Sequence, residues 1–348
     1  MAYTVSRRRL LLGSAGAVAL AGVAPMSACG GGDPTPGGSS REKVTVLTGA
    51  GFQGREAPLF VAQAQGWFAE EGLEVEVLQG KGSTENLKLL AAGQVEFATI
   101  DVNAGLIEYT RPGGIRDFVL TSVLHQRNLA CFVAVTSRGV TVPSDLAGRR
   151  LSFLPGGINK LLFSTYAQLA GFDAGSVTWV ANPVPAQHVP LLAARQVDAI
   201  SQFVPAVDLV RETVGEEVTV LPFTDYLTDL HGSAIGVTTA TAAGRPDLVR
   251  RFNRALLRGL RFAIDDPDTA GTIYAGRPET QGQQAQEATA ELTRMAGYVT
   301  PVGDVPVGHF DPRRVARNVA ILQGAGALGE SGLSESDVDT VFAYDLVG

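Results

Sequence analysis

The stretch LKLLAAGQVEFATI at residues 87–100 recurs, with small changes, as VPLLAARQVDAISQ at residues 189–202. The two copies lie 102 residues apart, and in each the end of a helix runs into a short apolar strand. The same offset places the strand VEVL (75–78) on VTWV (177–180). These coincidences at one offset predict that the chain builds two lobes of similar structure.

The segment ahead of the first copy, PLFVAQAQGWFAEEGLEVEV (58–77), predicts how each lobe is wound. Gly72 is suited to end a helix, and the following LEVEV alternates as a strand does. The offset of 102 also places Gly54, ahead of this helix, on Gly156. The apolar residues of the helix recur at the spacing of one buried face: Phe60, Val61, Ala64, Trp67 and Phe68.

Each copy reads strand, glycine-containing loop, helix, strand, helix, strand, which predicts a parallel sheet with helices on both faces. Crossing strands near 131–137 and 233–239 would join the lobes. An amphipathic helix at 245–267, with its arginines on a solvated face, would begin a helical part packed on lobe one. The predicted limits are lobe one at 43–130 and 238–348, and lobe two at 131–237.

Residues 1–28 have the composition of an export signal, with a basic start, an apolar run and small residues before a cysteine. SRRRLL (6–11) resembles a twin-arginine signal, and MSAC (26–29) resembles a bacterial lipobox. We therefore expect Cys29 to carry a lipid and residues 29–42 to form a flexible tether. This predicts an exported protein anchored to the outer face of the bacterial cytoplasmic membrane; an ordinary cleaved signal is the alternative.

Charge, cysteine and histidine content exclude several classes of function. The net charge is −7, and residues 1–28 contain three arginines and no acid, so the exported part would be more acidic still, which argues against nucleic acid as a partner. Cys131 lies in an apolar run, so we expect a buried thiol without a disulfide. The scattered histidines lack metal-ligand spacing, and no G-x-S-x-G motif is present. We expect neither a metal site, nor a cofactor, nor nucleophilic catalysis.

The loop GAGFQG (49–54) matches a dinucleotide-binding fingerprint between a strand and a helix. Pro58 is better placed in a first helical turn, which would begin the helix too late for that fold. Glu76 also sits inside the next strand instead of at its end. We therefore favour a ligand-contacting loop, with an exported nucleotide-dependent oxidoreductase as the enzyme alternative.

The loop GKGST (80–84) resembles a phosphate-binding loop but lacks the required glycine five residues before Gly80. We interpret it as a turn in which Ser83 or Thr84 caps the next helix. Capping alone and capping together with ligand contact are the two alternatives for this loop.

Five segments together resemble the substrate-binding proteins of ABC importers, in the group that handles sulfonates, taurine and thiamine-precursor pyrimidines such as hydroxymethylpyrimidine. The segments span most of residues 44–267 and are PLFVAQAQGWFAEEGLEVEV, GSTENLKLLAAGQVEFATID, DLAGRRL, LLAARQVDAI and RPDLVRRFNRALLRGLRFAIDDP. The resemblance implies a type II periplasmic-binding-protein fold, an α/β architecture of two doubly wound lobes. It also implies a monomer that closes around a ligand and delivers it to a membrane permease. An enzyme or sensor related to pyrimidine synthesis on the same fold is a second alternative.

Ligands of open α/β sheets bind at the carboxyl ends of strands and at helix N-termini. At the repeat offset, Asp101 superposes on Phe203, so the two corners would offer one acid and one ring. The candidate ligand-binding residues are Phe52, Gln53, Glu56, Ser83, Asp101, Asn103, Gly157, Asn159, Gln202 and Phe203. Further candidates are Trp179, Asp225, Tyr226 and His231.

These residue types favour a small planar or amphipathic ligand. A sulfonate would favour an arginine clamp, and only Arg55 lies in these loops. We therefore expect a nitrogen heterocycle, neutral or cationic, with a sulfonate-like molecule as the alternative. Pyrimidine-binding members of the group tend to have an acid four positions after the aromatic residue. In this chain Val207 stands there and Asp208 follows, which departs from that pattern.

Overall fold

A computed structural model describes residues 41–280, 282–330 and 332–348. The signal peptide, Cys29 and nearly all of the tether lie outside the described residues. The strands are β1 (Glu42–Leu47), β2 (Leu73–Leu78), β3 (Phe97–Asp101), β4 (Val119–Val123), β5 (Ala130–Val135), β6 (Arg150–Phe153), β7 (Thr178–Ala181), β8 (Ala199–Phe203), β9 (Val218–Pro222) and β10 (Ser233–Val237).

The α-helices of the described residues follow the strands in the order expected for wound sheets. They are α1 (Ala57–Ala64), α2 (Trp67–Glu70), α3 (Ser83–Ala91), α4 (Val102–Thr110), α5 (Ile158–Leu161), α6 (Phe163–Leu169), α7 (His188–Ala193), α8 (Val207–Val214), α9 (Thr239–Gly244), α10 (Pro246–Asp265), α11 (Pro267–Ala275), α12 (Ala285–Val299), α13 (Pro312–Gly324) and α14 (Glu335–Val341). Short 3₁₀ turns lie between several of them, including Gly54–Glu56 ahead of α1.

The strands form two sheets of the same design, ordered β2-β1-β3-β10-β4 and β7-β6-β8-β5-β9. In the first, β1 pairs in parallel with β2 and β3, while β10 runs antiparallel to β3 and β4. In the second, β6 pairs in parallel with β7 and β8, and β5 runs antiparallel to β8 and β9. The three strands of each repeated unit pair in parallel, as predicted. The fourth strand of each sheet is antiparallel because the chain enters it from the other sheet.

We call the parts built on the first and second sheets lobe one and lobe two. The chain passes to lobe two through a first crossover between β4 and β5, and returns through a second crossover between β9 and β10. The limits of the lobes stay a prediction, with one change. Residues 233–237, which the prediction assigned to lobe two, belong with lobe one because β10 pairs with β3 and β4.

Strand register corrects how the two copies correspond. Val46 on β1 lies between its partners on β2 and β3, and Leu151 on β6 takes the same place in lobe two. These two residues are 105 apart, whereas the partner strands keep the offset of 102. Gly156 therefore corresponds to Gly51 instead of Gly54. Both have left-handed backbones, with φ of 74° at Gly51 and 70° at Gly156, which glycine adopts without steric cost.

The predicted amphipathic helix corresponds to α10, whose apolar face packs on the first sheet. Phe252 stacks on Phe97 of β3 with a centroid distance of 3.8 Å, and on Phe68 of α2 at 5.3 Å. The face that the sequence assigned to the core is buried, as predicted: Leu248, Phe252, Leu256 and Ala263.

The arginine face of α10 is ion-paired instead of merely solvated. Arg251 lies 2.7 Å from a carboxylate oxygen of Glu42, and Arg254 lies 2.8 Å from one of Glu71. These pairs fasten α10 to the start of β1 and the end of α2. Because the pairs are partly exposed, each contributes little to the free energy of unfolding.

The helix predicted from residue 58 is interrupted. Gly66, with φ of 75°, separates α1 from α2, and Ala64, expected on the buried face, is exposed. Phe60, Val61 and Phe68 are buried as predicted. None of the helices in the described part of the chain has the length and apolar character needed to cross a bilayer.

Candidate functional site

A cavity lies where the carboxyl ends of β3 and β8 face each other across the two lobes. Its empty volume, including its openings to solvent, is about 750 Å³. Lobe one and the first crossover contribute Gly49, Ala50, Gln53, Arg55, Gly82, Ser83, Asp101, Leu129 and Ser233. Lobe two contributes Leu154, Gly157, Ile158, Asn159, Pro185, His188, Ser201, Gln202 and Phe203.

Asp101 ends β3 and caps α4. Its Oδ1 accepts hydrogen bonds from the backbone N–H of Asn103 at 2.9 Å and of Ala104 at 3.2 Å, and its own N–H donates to Ser83 Oγ at 3.0 Å. Burial raises the pKa of Asp101 to about 7, although the hydrogen bonds that it accepts favour the ionised form. The cavity therefore contains a carboxyl group that titrates near neutral pH.

Arg55 is the cation of the lobe-one wall, and it is buried. Its guanidinium carbon lies 4.4 Å from the ring centroid of Phe203 in lobe two, which is cation–π geometry. The same guanidinium donates to Gln53 Oε1 and lies 3.4 Å from Glu56 Oε1. The stack joins the lobes across the cavity, and Glu56 compensates the positive charge.

A second carboxyl group approaches Arg55 from α12. Glu291 Oε2 accepts the backbone N–H of Arg55 at 3.2 Å. Burial raises the pKa of both Glu56 and Glu291, because both carboxyl groups lie in a desolvated site. Glu56 lies within ion-pair distance of the guanidinium, and Glu291 binds the backbone of the same residue.

The lobe-two wall offers neutral polar groups. Asn159 donates to the carbonyls of Cys131 at 2.8 Å and Gln202 at 2.9 Å, which fixes its amide. Ser152 Oγ lies 3.0 Å from His188 Nδ1, and His188 Nε2 has no hydrogen-bond partner among the described residues. Burial lowers the pKa of His188, so its ring is neutral at pH 7.

The two lobes also touch on either side of the cavity. Thr84 Oγ1 lies 3.3 Å from the carbonyl oxygen of Gly156 and within hydrogen-bond distance of it. Arg294 on α12 donates to Asp208 on α8 at 2.6 Å, through Nε and Oδ2. Asp208 lies one position after the place where pyrimidine-binding members tend to have an acid. It pairs with Arg294 and does not line the cavity.

Seven of the ten residues predicted from strand ends line the cavity: Gln53, Ser83, Asp101, Gly157, Asn159, Gln202 and Phe203. Three do not. Phe52 packs its ring on Phe60 at 5.8 Å, Glu56 is turned onto Arg55, and Asn103 is fully buried beneath Asp101. Each lies within two residues of a lining residue, but its side chain packs on an aromatic ring, pairs with Arg55 or hydrogen-bonds to Asp101.

The four further candidates also lie away from the cavity. Trp179 packs in the lobe-two core against Phe163 at 4.7 Å, and Asp225 and Tyr226 are exposed on the chain after β9. His231 is fully buried and bonded to Asn318 through its backbone N–H at 2.8 Å. His231 is bonded to α13, a helix that the sequence pattern could not position.

The sequence reading missed Arg55, His188, Ser201 and Ser233 as lining residues. Arg55 had one available signal, since it is the only arginine in the predicted ligand loops. His188 begins α7 and carries no pattern that distinguishes it from a core histidine. Ser233 begins β10 and reaches the cavity only because that strand joins lobe one.

The GAGFQG loop is shaped by packing. A Cβ atom on Gly54 would lie 2.7 Å from the Cα of Ala288 on α12, so this glycine is needed for close approach of that helix. Helix α1 begins only at Ala57, three residues past Gly54, as the position of Pro58 predicts. In the part of the chain that the structure describes, no group of three His, Cys, Asp or Glu side chains is placed to hold a metal ion.

Comparisons with known proteins agree with this geometry. A protein-family model described as NMT1/THI5 like matches residues 53–270. The chain is 31% identical over 311 residues to the riboflavin-binding protein RibY of Chloroflexus aurantiacus, covering 84% of this chain and 82% of that protein. It is 24% identical over 241 residues to the 4-amino-5-hydroxymethyl-2-methylpyrimidine phosphate synthase of Legionella pneumophila, covering 67% of this chain and 72% of that protein.

A solved structure shows the same fold. The alkanesulfonate-binding protein SsuA of Xanthomonas axonopodis pv. citri superposes with a TM-score of 0.68 at 14% identity, covering 88% of this chain and all of that one. The predicted type II periplasmic-binding-protein fold and the predicted family resemblance are thereby confirmed.

Proposed function

The chain belongs to the NMT1/THI5-like family, and we propose that it is a solute-binding protein of an ABC importer, which holds a small molecule between its lobes and delivers it to a membrane permease without catalysis. The cavity between β3 and β8 carries this proposal, because both lobes supply polar groups to it and contact each other around it. The similarity to RibY, a protein named for binding a solute, supports the proposal over most of both chains.

The charges around the cavity favour a ligand that donates hydrogen bonds. Asp101 can only accept when it is ionised, and the positive charge of Arg55 is compensated by Glu56 at 3.4 Å. The ring of Phe203 adds an apolar face. We therefore propose a neutral or cationic nitrogen heterocycle as the ligand.

A sulfonate remains the alternative ligand, since Arg55 lines the cavity and SsuA is named as an alkanesulfonate-binding protein. A sulfonate offers only acceptors, so it would have to displace Glu56 or Gln53 from the guanidinium. The cost of leaving buried Glu56 unpaired argues against this arrangement.

Export and anchoring complete the proposal. The lipobox-like sequence ending at Cys29 would attach the protein to the outer face of the cytoplasmic membrane, with residues 29–42 as the tether. Closure would be a hinge motion about the two crossovers. The permease would be the partner in the membrane, and the binding protein would act as a monomer.

The proposal is tested by native mass spectrometry of freshly purified protein, followed by calorimetric titration with a panel. The panel contains riboflavin, a 4-aminopyrimidine, an alkanesulfonate and nitrate. We expect one molecule of a nitrogen heterocycle to bind per chain. Each anion should bind at least about tenfold more weakly than that heterocycle. Tightest binding of an anion would overturn the proposed ligand class, and failure of every small molecule to bind would overturn the binding function.

The enzyme alternatives predict different results. A synthase like the pyrimidine relatives would convert its substrate, so mass analysis after long incubation with the bound compound would reveal a product. A nucleotide-dependent oxidoreductase would retain a flavin or nicotinamide nucleotide and would use it to oxidise or reduce a second substrate. We expect the bound compound to be recovered unchanged.

A further inference from the structure

Each crossover contributes a residue to a cluster of buried polar residues behind the lobe-one wall. We call Asp101, Asn103, Asn128, His231 and Asn318 the hinge cluster; each is 7% exposed or less. Asn128 lies on the first crossover and His231 on the second. Buried polar groups must be hydrogen-bonded to avoid a large desolvation cost, so the partners within this cluster determine its geometry.

The asparagine amides of the cluster are directed at Asp101. Asn103 Nδ2 donates to Asp101 Oδ1 at 3.1 Å, and Asn128 Nδ2 donates to Asp101 Oδ2 at 2.9 Å. The backbone carbonyl of His231 accepts from the same two amides, at 2.7 Å from Asn103 and 3.2 Å from Asn128. The side-chain amide of Asn128 thus links the carboxyl group of Asp101 to the backbone of the second crossover.

Asn318 on α13 fixes the direction of these bonds. Its Nδ2 donates to Asn103 Oδ1 at 2.7 Å, and its Oδ1 accepts the backbone N–H of His231 at 2.8 Å. Because that oxygen is an acceptor, His231 Nδ1, 3.1 Å away, carries the ring proton. Burial lowers the pKa of His231 to about 4, so the ring is neutral. Within the cluster, the side-chain amides of Asn103 and Asn128 donate to Asp101.

We infer that Asn128 is a positioning residue of the binding site, which orients Asp101 Oδ2 for the ligand and couples that contact to both crossovers. The coupling to ligand rests on the proposed function, whereas the orientation of Asp101 does not. The other charged groups that act on the cluster are Asp229 on the second crossover, Asp311 at the N-terminus of α13 and Arg314 on α13. Arg314 donates to Gln126 of the first crossover at 2.7 Å.

The orientation is tested in ligand-free protein by ¹³C NMR of the side-chain carboxyl carbons, with Asp101 assigned from an Asp101→Asn variant. Asn128→Ala removes a donor that stabilises the ionised form, so the midpoint of the Asp101 titration should rise by about one pH unit. Asn253→Ala is the matched control. Asn253 is equally buried but bonds to Thr121 and to the carbonyl of Leu346, away from the cavity, so it should leave the midpoint unchanged.

The coupling is tested by pulsed EPR distances between labels at exposed positions of the two lobes, Lys88 and Ser164. We expect Asn128→Ala to broaden the distance distribution and Asn253→Ala to leave it as in the wild type. Asn128→Ser, which keeps a short donor, should give an intermediate result and replaces Asn128→Ala if that variant does not fold. The inference would be overturned if replacing Asn128 left both the midpoint of the Asp101 titration and the label distances unchanged. Equal changes in Asn253→Ala would overturn it as well. Neither readout depends on identifying the ligand.

Discussion

Lobe one and lobe two present different chemistry to the cavity, although their strands correspond. At equivalent strand ends, lobe one places Asp101 and lobe two places Phe203. The lobe-one wall brings an ionisable acid and the compensated cation Arg55. The polar side chains of the lobe-two wall carry no acid or guanidinium and come from Asn159, His188, Ser201 and Gln202.

The backbone of the two lobes is held by one repeated contact away from the cavity. Glu96 Oε2 accepts the N–H of Thr45 on β1 at 2.7 Å, and Asp198 Oδ2 accepts the N–H of Arg150 on β6 at 2.8 Å. These acids occupy the same place in the repeat. The comparison shows that this contact behind the strands is kept in both lobes, whereas the residues at the strand ends that line the cavity differ.

The largest expected effect comes from the lobe-one acid. Asp101→Ala should lower the affinity for the ligand by about 10- to 100-fold, because a hydrogen bond to a buried charged group contributes about 1.5–3 kcal/mol. Calorimetry with the compound that the panel identifies measures this loss. Asp225→Ala, an exposed acid outside the cavity, is the control and should bind as the wild type does. Unchanged affinity of Asp101→Ala would remove Asp101 from the site.

The pH dependence of binding should arise in lobe one alone. With its pKa raised to about 7, Asp101 is mostly ionised at pH 8 and mostly protonated at pH 6, so a hydrogen-donating ligand should bind about tenfold more weakly at pH 6. Asp101→Asn should abolish the dependence. Burial lowers the pKa of His188, so protonation of this ring requires more acid than that of a free imidazole. A pH dependence that persists in Asp101→Asn would contradict the assignment.

The same group makes stability depend on pH. The folded-state pKa of Asp101 lies above its unfolded value, so the native state binds this proton more tightly. The free energy of unfolding contributed by the group is therefore highest in acid and falls as pH rises from about 4 to about 7. Urea denaturation of wild type and Asp101→Asn across this range measures the difference.

The lobe-two ring should matter less than the lobe-one acid. Phe203→Ala should weaken binding by about two- to tenfold, because an aromatic contact contributes about 0.5–1.5 kcal/mol beyond burial. Phe172→Ala, which removes a partly exposed lobe-two ring packed on Phe163 at 5.9 Å, is the control. A loss equal to that of Asp101→Ala would reverse the ranking of the two walls.

The smallest effect is expected at the outer contact between the lobes. Arg294 and Asp208 are partly exposed, so Arg294→Ala should raise the ligand dissociation rate only about twofold. Stopped-flow release of the bound compound measures it, with Arg261→Ala on α10 as the control. A tenfold change would show that this ion pair, and not the cavity, limits opening.

Most of the residues that the strand-end rule selected line the cavity, because the carboxyl ends of neighbouring strands converge by construction. It failed for Trp179 and His231, since proximity to a strand end does not reveal which helix covers a side chain. It also missed Asn128, whose role depends on a carboxyl group 27 residues away. Local patterns carry no information on such partners.

The sequence alone determined the duplication, the order of strands and helices, and the corners at Asp101 and Phe203, because each follows from short-range periodicity repeated at a fixed offset. Tertiary structure alone decided that the fourth strand of each sheet is antiparallel, and that Gly51 is the counterpart of Gly156. It also decided that Arg55 is compensated by Glu56 and approached by Glu291, which is 236 residues distant. Such charge balance depends on packing between segments far apart in the chain, which no local pattern encodes.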